Sequence, residues 1–183
     1  MELIQGIQER RSVRKFKSEP IPRETMREIV RLTSYAPSWK NTQTVRYTVV
    51  ENRAILDEIA ENGVMGFTYN SKTIHRCSVL VAQSVVMGIC GYEKDGSFST
   101  AKKDSWEMYD AGISAQTFCL AAHSKGIGSV IMGIYDENII AELIRLPKGE
   151  RVTALIALGY PETDISQIPP RKDVDELLRY RTK

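Results

Sequence analysis

The sequence predicts one α+β domain, and three observations carry that expectation. Segments with helical periodicity share the chain with three β-rich runs at Val45–Val50, Cys77–Met87 and Arg151–Leu158. The 183 residues suffice for one hydrophobic core and would crowd two. Neither an internal repeat nor a linker divides them, so the domain is expected to span residues 1–183.

Leu3 to Glu9 can form a short helix that leads directly into RRSVRKF. In the next helix Pro22 suits an early position, Met26, Ile29, Val30 and Leu32 form a stripe near the 3.6 period, and Pro37 stops it. The loop PSWKNTQT follows, then the strand Val45–Val50. Asn52 can cap a helix carrying Ile55, Leu56 and Ile59 that ends near Gly63. GVMGFTYNSK reads as irregular, and SVLVAQSVV as a strand buried on both faces. Residues 91–103, rich in glycine and small polar groups, read as a mobile segment, either a lid over a pocket or a surface loop.

Ser105 to Lys125 has helical spacing, and Ala111, Gly112, Ser114 and Ala115 leave room for close packing against another element or subunit. Gly126 and Gly128 end it, KGIGSVIMG reads as a tight crossover, and Asp136 can cap a helix around NIIAELIRL. After the strand Arg151–Leu158, residues 162–183 hold few core residues and are expected to pack on a second subunit.

Bulk properties remove several classes. The composition, 42% hydrophobic and 26% charged, is that of an ordinary globule. A net charge of +2 is too mild for a protein that wraps a polyanion. No stretch approaches the roughly 18 apolar residues a membrane span needs. The N-terminus lacks the pattern of a secretory leader, which makes the cytoplasm the expected compartment. Cys77, Cys90 and Cys119 show no CxxC spacing, and with His75 and His123 they make no usual zinc pattern. Simple buried thiols and structural histidines are expected.

Two segments carry candidate chemistry. RRSVRKF places Arg10, Arg11, Arg14 and Lys15 in and just after a helix end, with Ser12 adding a hydroxyl. Arg10 and Arg14 can converge, and guanidinium forks match phosphate oxygens, so the patch suits an anion; a solvated basic face is the competing reading. Nucleic acid is disfavoured, because no basic stripe with interleaved aromatics accompanies the patch. APSWKNTQ offers Ser38, Asn41, Thr42 and Gln43, a set of neutral donors and acceptors suited to a planar heterocycle or simply to a capped loop. Neither GxGxxG nor GxxxxGK[ST] occurs, and no acid, base or nucleophile stands out. Such a chain can be a cofactor enzyme, in which the protein chiefly binds and orients.

Taken together, RRSVRKF, APSWKNTQ, DAGISAQTFCLAAHSKGIGSVIMG and RVTALIALGYP resemble the FMN-dependent nitroreductase family in order and spacing over nearly the whole chain. The resemblance implies a mixed, mainly antiparallel sheet flanked by helices, in an intertwined homodimer with FMN at the interface. It implies that Arg10, Ser12 and Arg14 hold the phosphate and ribityl end, with Arg11 nearby, and that Arg171 returns to the phosphate, with Lys172 as the fallback. Pro37, Ser38 and Asn41 would come from the other subunit, and Asn70 would address the pyrimidine edge. Ile131, Met132 and Gly133 would lie against the ring, the Gly133 amide towards N5. The implied reaction passes hydride from NADH or NADPH through flavin N5 to a nitroaromatic, quinone or similar small acceptor. Another FMN reaction, such as enone reduction, dehalogenation or metabolite oxidation, is the alternative, as is a flavin-binding protein without efficient turnover. Thr44-Val45 replaces the family's Pro-Trp, and Trp39-Lys40 occupies positions that are often small; these departures bear on the acceptor more than on FMN.

Overall fold

The computed structural model describes residues 1–163 and 168–182. Its helices are α1 (Leu3–Glu9), α2 (Arg23–Thr33), α3 (Arg53–Glu58), α4 (Thr68–Arg76), α5 (Ser105–Ser124), α6 (Glu137–Leu143) and α7 (Val174–Leu177). The strands β1 (Val45–Val50), β2 (Val79–Val86), β3 (Gly128–Met132) and β4 (Glu150–Gly159) form one sheet of order β1-β2-β4-β3. All three ladders are antiparallel. The parallel component among the described residues is a single bridge from Ser12 to Ser129, beside β3.

The unbroken apolar run of β2 follows from its central place, since both of its faces are covered. Leu80 and Ala82 enter one core with Leu56 of α3, Ile74 of α4 and Ile140 of α6. Val79 and Val81 enter the other with Met26 and Ile29 of α2 and Phe118 and Ala122 of α5. β4 divides likewise, Leu155 and Ala157 facing the first core and Ile156 and Leu158 the second. The result is three layers with helices on both sides of the sheet.

The local start signals act as their chemistry requires. Asn52 Oδ1 accepts the amides of Ala54 and Ile55, and Asp136 Oδ1 those of Asn138 and Ile139. Two glycines are required by close approach. The segment after α1 runs so near the sheet that a Cβ at Gly128 would lie 2.6 Å from Val13 Cγ2, and one at Gly159 2.7 Å from Phe16 Cβ.

Two expectations are corrected, and the segment that reads as a lid or a surface loop has internal pairing. GVMGFTYNSK is not irregular throughout: Met65 and Gly66 at φ 51° and 71° end the π-helical turn Ile59–Gly63, and α4 starts two residues later at Thr68. KGIGSVIMG contains a paired strand, β3, because Gly128 admits the Val13 segment rather than breaking the ladder. Residues 91–103 contain a hairpin: Tyr92 bridges Phe98, the Glu93 amide donates to Ser97 O at 2.8 Å, and Asp95 accepts the Ser97 amide at the turn. Within the predicted tail, residues 164–167 and 183 lie outside the described residues; the rest is exposed and holds only the one-turn α7, closed by an Asp173–Glu176 capping box.

Candidate functional site

α1 delivers its C-terminal arginines to the edge of β3. The Val13 amide donates to Ser129 O at 3.0 Å, which pins the segment along the strand. Arg10, Arg11, Ser12 and Arg14 then line an open groove of about 900 Å³ together with Pro169, Pro170 and Arg171. None of these four arginines forms an ion pair among the described residues. Arg11 Nη1 donates to the carbonyls of Gln8 and Arg10, but its Nε is buried with no hydrogen-bond partner among the described residues. Lys172 instead reaches Glu176 at 3.6 Å, so Arg171 is the tail cation that lines the groove.

The same strand leads away from the arginines towards a second group. Ser129 to Gly133 is four residues, on the order of 13 Å of strand. Ile131 is 46% exposed, Gly133 has open space where a side chain would stand, and Met132 turns its side chain into the core. Asn70, on α4 and 9% exposed, donates Nδ2–H to Ile134 O at 3.0 Å and so lies against the end of this segment. Beside it Phe67 and Tyr69, ring centroids 5.6 Å apart, stand exposed at the start of α4. Sequence reasoning missed both aromatics because their segment read as irregular.

Pro37, Ser38 and Asn41 lie elsewhere. They precede β1, at the sheet edge opposite β3, roughly 14 Å away across three strand spacings. Pro37 and Ser38 line a different cavity, of about 370 Å³, with Thr33, Gln43, Tyr47 and Asp110. The loop's shape is unusual: Lys40, Asn41 and Gln43 take φ of 45°, 57° and 50°, the left-handed region that L-residues seldom occupy. Ser38 Oγ accepts the Gln43 amide at 3.1 Å, and Trp39 stacks at 4.6 Å on Trp106 of α5. Lys40 Nζ reaches Glu93 at 3.1 Å, tying the loop to the hairpin. Lys40 is therefore paired rather than a free positive charge.

His75 Nδ1 lies 3.0 Å from Asp57, and burial holds the His123 imidazole below its ordinary range, with Glu9 opposing and Arg10 and Arg11 adding to the shift. The three thiols are buried and free, and burial pushes those of Cys77 and Cys90 up to about 12. Among the described residues no cluster of His, Cys, Asp and Glu is placed to hold a metal, and no helix is long and apolar enough to cross a membrane.

An α+β protein with an arginine groove beside an edge strand that no carboxylate lines among the described residues, and no evident acid, base or nucleophile, has the form of a cofactor-binding protein. Residues 7–160 match the Nitroreductase family, and the chain belongs to that family, whose members are FMN-dependent. It is 28% identical over 184 residues to an Archaeoglobus fulgidus protein assigned provisionally as an NADH dehydrogenase/NAD(P)H nitroreductase, covering 97% of each chain. A nitroreductase family protein of Clostridium novyi NT, known from its crystal structure, is 28% identical with a TM-score of 0.76, covering 96% of this chain and 91% of that one. The fold also matches an iodotyrosine deiodinase bound to FMN and 3-iodo-L-tyrosine, with a TM-score of 0.80 at 20% identity and full coverage of both chains.

Proposed function

We propose that this protein is a homodimeric FMN oxidoreductase that takes hydride from NADH or NADPH and passes it to a nitroaromatic, quinone or similar small acceptor. One observation carries the cofactor reading: four arginines share one groove with no carboxylate among the described residues that line it, and Arg11 Nε is buried without a hydrogen-bond partner among those residues. A buried guanidinium nitrogen without a partner is costly, and a phosphate oxygen would satisfy it. The residues present therefore fit FMN. When bound, the flavin supplies the hydride acceptor and donor at N5.

The chain's own part is binding and orientation. Arg10, Arg11, Arg14 and Arg171 would hold the phosphate, Ser12 the ribityl chain, and Asn70 the pyrimidine edge. The backbone from Ile131 to Gly133 would face the ring, with the Gly133 amide available as a donor. Phe67 and Tyr69 would offer an aromatic rim for a flat acceptor.

The dimer reading rests on the separation of the two sheet edges. Pro37, Ser38 and Asn41 lie at the sheet edge opposite the arginine groove of their own chain, and a second copy would bring them to it. The exposed apolar residues Leu3, Ile4 and Ile7 of α1 and Leu177 of the tail support the same reading, since a monomer gains nothing from exposing them.

The test begins with the visible spectrum of the purified protein and identification of the released cofactor. Anaerobic NADH or NADPH should bleach the flavin, and a panel of nitroaromatics, quinones, enones and halogenated phenols should identify the acceptor class. A flavin that neither nicotinamide bleaches would overturn the proposed reaction. Turnover confined to halogenated phenols would instead support dehalogenation, the reading that the deiodinase likeness favours.

A further inference from the structure

Asp110 sits in the first half of α5, 3% exposed, with no cation paired to it among the described residues. Its Oδ2 accepts two hydrogen bonds from distant parts of the chain, the Trp39 amide at 2.8 Å and the Cys90 thiol at 3.1 Å. A single oxygen thus joins α5, the loop of Pro37 to Gln43 and the turn after β2. The loop needs such a tether. Its own bonds, Asn41 amide to Ser38 O at 3.0 Å and Thr42 amide to Trp39 O at 2.8 Å, close it on itself without fixing it to the protein. Three left-handed residues hold that conformation only where the surroundings impose it.

The other two anchors, Trp39 on Trp106 and Lys40 on Glu93, act through side chains, the second on the surface. Among the described residues, Asp110 alone grips the backbone between Ser38 and Asn41 from a sealed position. The Cys90 thiol keeps its proton far into the alkaline range because of burial and the neighbouring carboxyl, so it remains a donor to the same atom.

We infer that Asp110 is a positioning residue that sets the shape of the Pro37–Gln43 loop and thereby the face which that loop presents to the flavin of a second copy. The inference rests on the dimeric flavin reading proposed above. What the site requires of residue 110 is an acceptor oxygen at the Trp39 amide. Asparagine can supply one, alanine cannot, and serine is too short to reach.

The experiment compares FMN-loaded wild type, Asp110→Ala and Asp110→Asn by hydrogen–deuterium exchange of residues 37–44 and by the FMN dissociation constant. In Asp110→Ala, exchange in that segment should accelerate while the β2 and β4 segments stay protected. The dissociation constant should rise about tenfold to a hundredfold, the range of one lost hydrogen bond to a charged group. Asp110→Asn should restore both readouts to within about threefold of wild type, because its amide oxygen keeps the acceptor. If Asp110→Ala fails to fold, Asp110→Ser takes its place with the same expectation. Native exchange at 37–44 in the variant without an acceptor, an unchanged FMN constant despite a loosened loop, or no rescue by asparagine would each overturn the inference. Wild-type protein that takes up no FMN overturns the reading beneath it, and shows this before any variant is made.

Discussion

Arg151 Nη2 lies 2.8 Å from Glu107 Oε2, a carboxylate whose side chain is only 2% exposed. The second oxygen, Oε1, accepts the Gly88 amide at 2.8 Å, and Asp104 stands 3.7 Å from the same guanidinium. The start of α5, the end of β2 and the start of β4 are thus joined by one buried charge and its partners. Removing one member of such a pair strands the other, which costs more than removing both.

Arg151→Leu should therefore destabilise the protein by about 3–5 kcal/mol, while the double variant Arg151→Leu/Glu107→Leu should recover a large part of that loss. Urea unfolding of the three proteins measures it. Equal or additive losses would mean that the two groups do not act as a pair.

Arg14 and Arg171 reach the same groove from the two ends of the chain. Arg14→Ala and Arg171→Ala should each weaken FMN retention by roughly 1.5–3 kcal/mol, the scale of a charge-assisted hydrogen bond. Arg27→Ala, on the exposed side of α2, should leave retention unchanged and serves as the control. Equilibrium dialysis against free FMN reads all three. The affinity of wild type should also fall with added salt, because the contacts are ionic and partly exposed.

The surface pair Lys40–Glu93 joins the Pro37–Gln43 loop to the hairpin of residues 91–103, with both side chains about half exposed at 56% and 47%. An exposed pair contributes less than about 1 kcal/mol, so Glu93→Ala should hardly change the melting temperature. It should still release the hairpin, which is otherwise held by Tyr92 on Phe98 and by the Trp106 Nε1 bond to Thr100. Faster limited proteolysis between residues 91 and 103, together with an altered KM for the acceptor at unchanged FMN affinity, would identify the hairpin as a lid. Unaltered KM with faster cleavage would make it a surface loop.

What could be read from sequence here follows the range over which each signal acts. Asn52 and Asp136 were legible as caps because a cap is a matter of two or three residues. β2 was legible because burial on both faces leaves an unmistakable apolar run. α4 was not, since Ile74 is its only aliphatic residue and the left-handed Met65 that precedes it carries no sequence signature. β3 was obscured by Gly128, whose role, making room for Val13, depends on a contact over a hundred residues away.

The site divides the same way. Arg10 and Arg14 were visible by spacing alone, but Arg171 entered only through the family resemblance, because nothing local ties residue 171 to residue 10. Asp110 carries no local signal of its role. Its donors, Trp39 and Cys90, are 71 and 20 positions distant, and no periodicity brings them together.

His123 offers a pH readout of the arginine groove without reference to turnover. It lines a cavity of about 400 Å³ with Glu9, Arg10 and Arg11, and the first two of those arise from α1 and its C-terminal end. Burial lowers its pKa from the ordinary 6.5; Glu9 acts against that shift, and Arg10 and Arg11 add to it. In the unfolded chain the imidazole takes its proton near 6.5, whereas in the folded chain it does so only at lower pH. The unfolded state therefore binds more protons in that interval, and stability present above 6.5 is lost as the pH falls through the folded pKa. His123→Gln should remove this component, so the melting temperatures of variant and wild-type apoprotein should separate progressively as the buffer is taken below 6.5. A phosphate seated on Arg10 and Arg11 would offset their positive charge and raise the His123 pKa, so the FMN-loaded protein should lose less stability over the same interval than the apoprotein. Parallel pH dependence of loaded and empty wild type, with a difference only in His123→Gln, would place the phosphate away from these two arginines and leave Arg14 and Arg171 as its binding pair.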